Sequence, residues 1–248
     1  PQITFFKVGY HRHTNFSMET IEQTMSGQSN AVGGQSSTVT ISRNGDLVSN
    51  VYVTTDTSLV MRGSRLIKDV QLDIGGQRID KHTSQWMDVW NELSTPASKA
   101  NGLKSMQCDV GISGGTGVDM VQVPLQFWFC KNPGLALPLI ALQYHEVKLI
   151  FSWGNELDYA QGGLDAAVSG AACKVWIDYI YLDTDERRRF AQVSHEYLIE
   201  QVQENSLPQN KQQHQLTFNH PVKELIWTSG TDKYGTAQLK LNGHDRFA

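Results

Sequence analysis

Short runs in which every second residue is apolar alternate along this chain with breaks rich in glycine, proline, asparagine and aspartate. Gln2 to Val8 is a short β-prone run. Asn15 to Met25 alternates loosely through Phe16, Met18 and Thr20, with glutamates between. Ser37 to Ile41 and Leu47 to Thr54 are β-branched runs flanking Arg43-Asn44-Gly45-Asp46. Asn44-Gly45 there predicts a hairpin with a type I′ turn, because both residues tolerate φ > 0. Leu66 to Ile74 sets Leu66, Val70, Leu72 and Ile74 on one face with Lys68 as the polar exception, and Gly75-Gly76 ends it. Val118 to Phe129 reads as a strand whose second half is apolar on both faces, as in a buried strand. Asn132-Pro133-Gly134 turns the chain, and Leu142 to Trp153 is the next strand. Lys174 to Leu182 puts Val175, Ile177, Tyr179 and Tyr181 on one face, with Trp176, Asp178, Ile180 and Leu182 on the other.

Helical spacing is rarer. In Ser84 to Leu93, Trp86, Val89, Trp90 and Leu93 form one stripe, Thr83 or Ser84 can cap the start, and Pro96 closes the region. Ala97 to Gly117 and Gly154 to Ala172 read as loops. Asp183 to Phe190 reads as a capped helical turn with acid first and base last, matching the helix dipole. Gln203 to Gln215 is polar, contains Pro208 and marks a linker. Leu216 to Trp227 restarts the β pattern. The expected division is therefore 1–202, a linker at 203–215, and 216–248. Many strands with one lateral helix predict an all-β, antiparallel sandwich, and eight strands in two facing sheets make a jelly roll.

Hydrophobic residues are 40% and charged residues 19% of the 248, enough for a packed core. The longest apolar run, Gly134 to Leu142, is interrupted by Pro138, far short of the roughly 20 apolar residues of a spanning helix. No signal peptide marks the start, and no membrane insertion is expected. Net charge −4 and a pI near 6.1 argue against a broad nucleic-acid-binding face. Cys108, Cys130 and Cys173 are too widely spaced for a disulfide scaffold or a zinc pair, and are expected as reduced thiols. The chain starts at Pro1 and ends at Ala248 with no stop in its pattern, so both ends are expected to be cuts in something longer.

Few residues invite chemistry. His11-x-His13 with Glu19 resembles the metal-binding strand of cupins, since alternate histidines share a face. Glu19 lies one residue too far, and no second half follows. His195-Glu196 starts like H-E-x-x-H, but Ile199 stands where the second ligand is needed. His145 and Glu146 are neighbours in a strand and point apart. Gly111 to Gly117 lacks the strand before and helix after that a phosphate-binding turn requires. Arg187-Arg188-Arg189 follows Asp183, Asp185 and Glu186, so the local charge nearly cancels, and an inter-domain ion pair or a helix-dipole role is expected. Asn15-Phe16-Ser17 is the single N-x-S/T sequon and a possible glycosylation site, expected to be shielded near the start of the fold. No catalytic residue, cofactor or metal site is expected.

Several stretches, in order, resemble the double jelly-roll major capsid proteins of nucleocytoplasmic large DNA viruses, especially algal and amoebal giant-virus types. They are Ile3-Thr-Phe-Phe-Lys7, Arg12-His-Thr-Asn-Phe16, Ile21-Glu-Gln-Thr24, Ser42-Arg-Asn-Gly-Asp-Leu47 and Ile74-Gly-Gly-Gln-Arg-Ile-Asp80. Further along come Pro124-Leu-Gln-Phe-Trp-Phe-Cys130, Asn132 to His145, Asp183 to Phe190 and His195 to Gln201. The resemblance implies the first roll of a double jelly roll with the start of the second. Asp183 to Gln201 would lead between them and Leu216 would open the second. It also implies homotrimers of pseudo-hexagonal outline, neighbouring capsomers and minor capsid proteins as partners, and a place in an icosahedral virion shell assembled in host cytoplasm. Two other jelly-roll functions stay in view, a carbohydrate-binding module and a cupin-type metalloprotein. The six tryptophans lie mostly in apolar strands or on the helix face, which favours core burial over exposed sugar platforms.

Overall fold

The computed structural model describes residues 2–3, 8–9, 13–31, 33–55, 63–107, 120–154, 171–207, 213–228 and 236–246. The chain divides into two compact units, Pro1–Val202 and Gln203–Ala248. The first contains β1 (Gln2–Ile3), β2 (Val8–Gly9), β3 (Phe16–Gln23), β4 (Met25–Gly27), β5 (Asn30–Ala31), β6 (Ser36–Thr40), β7 (Leu47–Thr55), β8 (Ile67–Ile74) and β9 (Gln77–Thr83). Helices α1 (Ser84–Ser94) and α2 (Ala97–Met106) follow, then β10 (Val121–Pro124), α3 (Trp128–Lys131), β11 (Leu137–Pro138), β12 (Val147–Trp153), β13 (Ala171–Leu182) and α4 (Thr184–Gln192).

One antiparallel sheet has the order β10-β7-β13-β3, with β11 beside β7 and β5 beside β13; the other runs β4-β6-β12-β8-β9. Most successive strands change sheet, the β8–β9 hairpin being an exception. β3, β7, β10 and β13 belong to the first, and β6, β8, β9 and β12 to the second. Eight principal strands wound between two sheets form a jelly roll. One apolar core lies between the sheets. Val51, Val53, Val175, Ile177 and Tyr179 come from the first sheet, and Val39, Val70, Leu72, Leu149, Phe151 and Trp153 from the second. Strand β12 shows the period of two directly: Val147, Leu149, Phe151 and Trp153 are buried, and Lys148, Ile150 and Ser152 are half-buried. The buried Trp153 indole satisfies its N–H on Ser37 Oγ at 2.8 Å.

The hairpin expected at Asn44-Gly45 does not form. β6 pairs with β12 and β7 pairs with β13, so Arg43 to Asp46 is a corner carrying the chain from one sheet to the other. Gly45 lies directly under Tyr179, where an added Cβ would sit 2.7 Å from the tyrosine Cβ. The tyrosine hydroxyl donates to Ser42 O at 2.7 Å, and Asp46 N donates to Ile180 O at 3.0 Å. The glycine is needed for close approach, not for a turn with positive φ. That turn occurs instead at Gly75-Gly76, with φ of +61° and +82°, which joins β8 to β9 as an antiparallel hairpin. Lys68, the polar exception in β8, is the extra residue of a bulge where Ser152 and Trp153 face Asp69 and Ile67.

Three other expectations change. Ala97 to Met106 is a helix and not a loop. Beyond Pro124 the apolar run to Phe129 leaves the sheet and closes in α3, while Leu125, Phe127, Trp128 and Phe129 stay buried; a short apolar run carries no period that separates strand from buried coil. The strand expected from Leu142 begins at Val147, because the Arg43 guanidinium donates to Leu142 O (2.9 Å) and His145 O (3.3 Å) and holds those residues in turns. Helix α1 is capped by Thr83 Oγ1, which accepts from Trp86 N at 3.2 Å. Its buried residues are Met87 and Asn91, and the Trp86–Trp90 stack lies beside them with Leu93 exposed. Gly111 to Gly117 and most of Gly154 to Ala172 lie outside the described residues.

In the second unit, β14 (Leu239–Leu241) and β15 (His244–Arg246) form a hairpin through Asn242-Gly243, both at positive φ. Leu216 to Trp227, expected as strand, contains none.

Two glycine substitutions separate these local environments. Gly45→Ala is expected to lower stability by about 1–3 kcal/mol through overpacking against Tyr179. Gly102→Ala, inside α2 with nothing within 4 Å, is expected to raise it by about 0.5–1 kcal/mol. Denaturant unfolding of the two variants against the parent checks both signs.

Candidate assembly surfaces

The outer face of the first sheet carries both polar and apolar features. Leu47, Ala136 and Ile180 form a small buried cluster there, with Leu182 and Phe190 packed on it. Its margin is β3, where Phe16 pairs opposite Leu182 and Met18 opposite Ile180. Phe16 is 65% and Met18 52% exposed, an apolar edge with no cover in the described chain. Asn15 just before them is also exposed, so the expected shielding of the sequon is not found. Asp178, on the same outer face, accepts from Thr20 Oγ1 (2.6 Å) and Asn50 Nδ2 (3.1 Å), cross-linking β3, β13 and β7.

Helix α4 leaves the end of β13 with Asp183 as its cap, accepting from Glu186 N at 3.0 Å. Each arginine of the triplet meets an acid: Arg187 with Asp46 (3.0 Å), Arg188 with Asp185 (3.8 Å) and Arg189 with Glu186 (4.0 Å). The ion pairs lie within the first unit and not between domains. Asp46 is the strongest of these anchors, because it is buried and also accepts from Leu182 N at 2.8 Å.

Beyond α4, residues 193–202 form neither helix nor strand. The His195 ring stacks on Phe190 at 4.9 Å, and its Nε2 lies 2.8 Å from Phe190 O. Ile199 packs on the core, so the position that breaks the zinc-protease pattern is a packing residue. Glu200 pairs with Lys131 at 2.7 Å, and Lys131 also lies over the Trp90 ring at 4.5 Å. Gln201 Nε2 donates to Ile79 O at 2.6 Å, and Val202 N to Asp80 Oδ1 at 3.0 Å. The role of Asp80 was not legible in the sequence, where it is one acid in a polar strand.

Thr40, Ile41, Arg43, Leu139, His145 and Glu146 line an open cleft of about 420 Å³, and Tyr144 on its rim is 94% exposed. Glu146 pairs with Lys148 at 2.7 Å, and that hydrogen bond and charge hold its carboxyl below the usual range. His145 packs against Gly75, where an added Cβ would meet its Nδ1 at 2.6 Å.

The remaining chemical candidates do not converge. His11 lies outside the described residues, His13 is exposed, and Glu19 accepts from the Tyr181 hydroxyl at 3.0 Å. Among the described residues no group of three or more His, Cys, Asp or Glu is placed to hold a metal ion. Of the six tryptophans, only Trp128 and Trp153 are fully buried; Trp86, Trp90 and Trp176 are half-buried and Trp227 is 60% exposed, so the expected core burial holds for a minority. Among the described residues no helix is long and apolar enough to cross a membrane. Cys108 lies outside the described residues, and burial pushes the Cys130 and Cys173 thiols up to about 12.

Two measurements check this description. Thiols that stay protonated are poor nucleophiles, so native alkylation at pH 8 with peptide mapping is expected to leave Cys130 and Cys173 unmodified until the protein is denatured. Asp46→Ala strands the Leu182 N–H and is expected to cost about 1–3 kcal/mol, while Asp46→Asn, which keeps an acceptor, costs less; equal losses in thermal melts would contradict the anchor role.

A family model described as the major capsid protein N-terminus matches residues 4–183, and one described as the large eukaryotic DNA virus major capsid protein matches residues 186–248. The major capsid protein of Pyramimonas orientalis virus is 52% identical over 270 residues, covering 100% of this chain and 67% of its own. That of Paramecium bursaria Chlorella virus 1 is 44% identical over 311 residues, covering 100% and 70%. The quasi-atomic model of the PBCV-1 virus capsid matches with a TM-score of 0.69 at 42% identity, over 81% of this chain and 50% of that one. Likeness in fold alone extends to the Faustovirus major capsid protein, 11% identical with a TM-score of 0.53, over 76% and 58%. The chain thus spans half of the solved PBCV-1 capsid chain and about two thirds of these two relatives. Wound as an antiparallel jelly roll and matched over most of its length, the chain belongs to the major capsid proteins of large eukaryotic DNA viruses.

Proposed function

We propose that the parent protein is a non-enzymatic shell subunit that forms homotrimers of pseudo-hexagonal outline, which tile an icosahedral capsid. The observation that carries this reading is the match of the roll to the PBCV-1 capsid at 42% identity. The physical features fit the role. A closed core between two sheets makes a stiff wall, and its apolar margin at Phe16 and Met18 offers surface for neighbours. Contacts around a threefold axis are heterologous, and many weak ones repeated by symmetry hold a shell.

Residues from Leu216 onward open a second roll in this reading. Leu216, Val222, Ile226, Trp227 and Leu241 are all exposed, and no described residue of the second unit is buried. Apolar side chains in that number need a core, which the longer relatives have the length to supply. Further partners are neighbouring capsomers and minor capsid proteins. Direct contact with nucleic acid and membrane insertion are not part of the proposal. Synthesis and assembly take place in host cytoplasm, where reduced thiols persist. The Asn15 sequon stays unmodified in the shell, because a glycan there would stand on the apolar edge beside Phe16.

Light scattering of the full-length parent, with negative-stain images of the same fraction, is expected to show a trimer with a hexagonal outline whose assembly is moderately sensitive to added salt. A folded monomer would overturn the proposal and direct attention to glycan binding and metal content.

A further inference from the structure

The point where the chain leaves the first unit is held by a buried carboxylate. Asp80 and His82 lie on β9 with side chains only 2% exposed, and Asp80 Oδ2 is 2.9 Å from His82 Nε2. Asp80 Oδ1 accepts from Lys81 N at 2.8 Å and from Val202 N at 3.0 Å. The His82 ring stacks on Phe127 at 4.6 Å, and its Nδ1 is buried without a hydrogen-bond partner. Val202 is the last residue of the first unit.

We propose that Asp80 and His82 form a latch that docks residues 199–202 on the roll and sets where the connection to the second unit departs. A carboxylate only accepts hydrogen bonds, so the proton between the pair sits on His82 Nε2. The ring cannot reverse this polarity, because a proton moved to Nδ1 would point into the apolar site against Phe127 with no acceptor. The pair is therefore fixed in one direction: His82 donates and Asp80 accepts, leaving Oδ1 aimed at the connection. Two of the three donors on Asp80 come from β9 itself, and only the Val202 N–H comes from elsewhere. Releasing the connection would leave a buried anion one donor short, which is costly, whereas the partly exposed Glu200–Lys131 pair is worth little. Asp80 and His82 are positioning residues. Their consequence for assembly, a fixed departure point for the second roll, rests on the capsid reading.

The test is hydrogen exchange read by mass spectrometry on the full-length protein, with light scattering of the same samples. Asp80→Ala is expected to speed exchange of the Val202 amide, read in the peptide covering 199–202, by about tenfold or more while β12 and β13 keep their protection. Asp80→Asn, which folds more readily, retains an oxygen for Val202 N but faces His82 with an amide, and is expected to give a smaller rise confined to the same segment. In the parent, the ring ¹⁵N shifts of His82 are expected to show the proton on Nε2, and in Asp80→Asn that signature is expected to change. Unchanged protection of 199–202 in both variants overturns the latch, as does loss spread equally over β12 and β13. A segment loosened in the variants of a parent that is itself monomeric upholds the latch and sinks the capsid reading. A trimeric parent whose variants keep the segment docked does the reverse.

Discussion

Strand β13 is the member on which the roll depends, because it is paired on both sides by segments distant in the chain. It pairs with β3 from the start and with β7 in the first third, and its inward row of Val175, Ile177 and Tyr179 is fully buried. Until β13 is in place, β3 has no partner in the sheet and β7 is paired only on its β10 and β11 side. Loop-closure entropy must be met before such long-range pairing rewards it, so this topology couples folding of the whole unit to one late strand.

The corner at Arg43 to Asp46 shows how the two sheets are tied to that strand. Tyr179 reaches Ser42 O, its ring covers Gly45, and Asp46 meets both β13 and the first turn of α4. One four-residue segment therefore links the sheets, positions the helix that leaves the roll and closes the end of the core. The buried acid is favourable there because charged and backbone donors fill its acceptor sites.

The outside of the roll divides by polarity. On the first sheet Asp178 and its hydrogen-bonded partners lie among apolar residues that run out to the exposed edge of β3. On β9, an edge of the second sheet, Gln201 and Val202 are held by polar contacts at and beside a buried carboxylate. An uncovered apolar edge gains energy when a neighbour covers it, whereas directional hydrogen bonds fix geometry. The two kinds of surface suit assembly and connection respectively.

Much of this was legible from residue order alone. Strands with a strict period of two, such as β12 and β13, declared themselves, as did the Thr83 and Asp183 caps and the neutralised arginine triplet, because these depend on neighbours within a few residues. Family resemblance was legible too, since it rests on ordered identities. Partner choice was not. Asn44-Gly45 and Asn242-Gly243 are the same dipeptide, yet only the second turns a hairpin, because the strands flanking the first are claimed by β12 and β13. The apolar run ending at Phe129, the faces of α1 and the burial of Asp80 were likewise decided by what packs against them. Sequence determined the local conformations and the inventory of apolar faces; only the tertiary structure decided which strands pair and which polar groups are buried, since those energies belong to contacts between residues far apart in the chain.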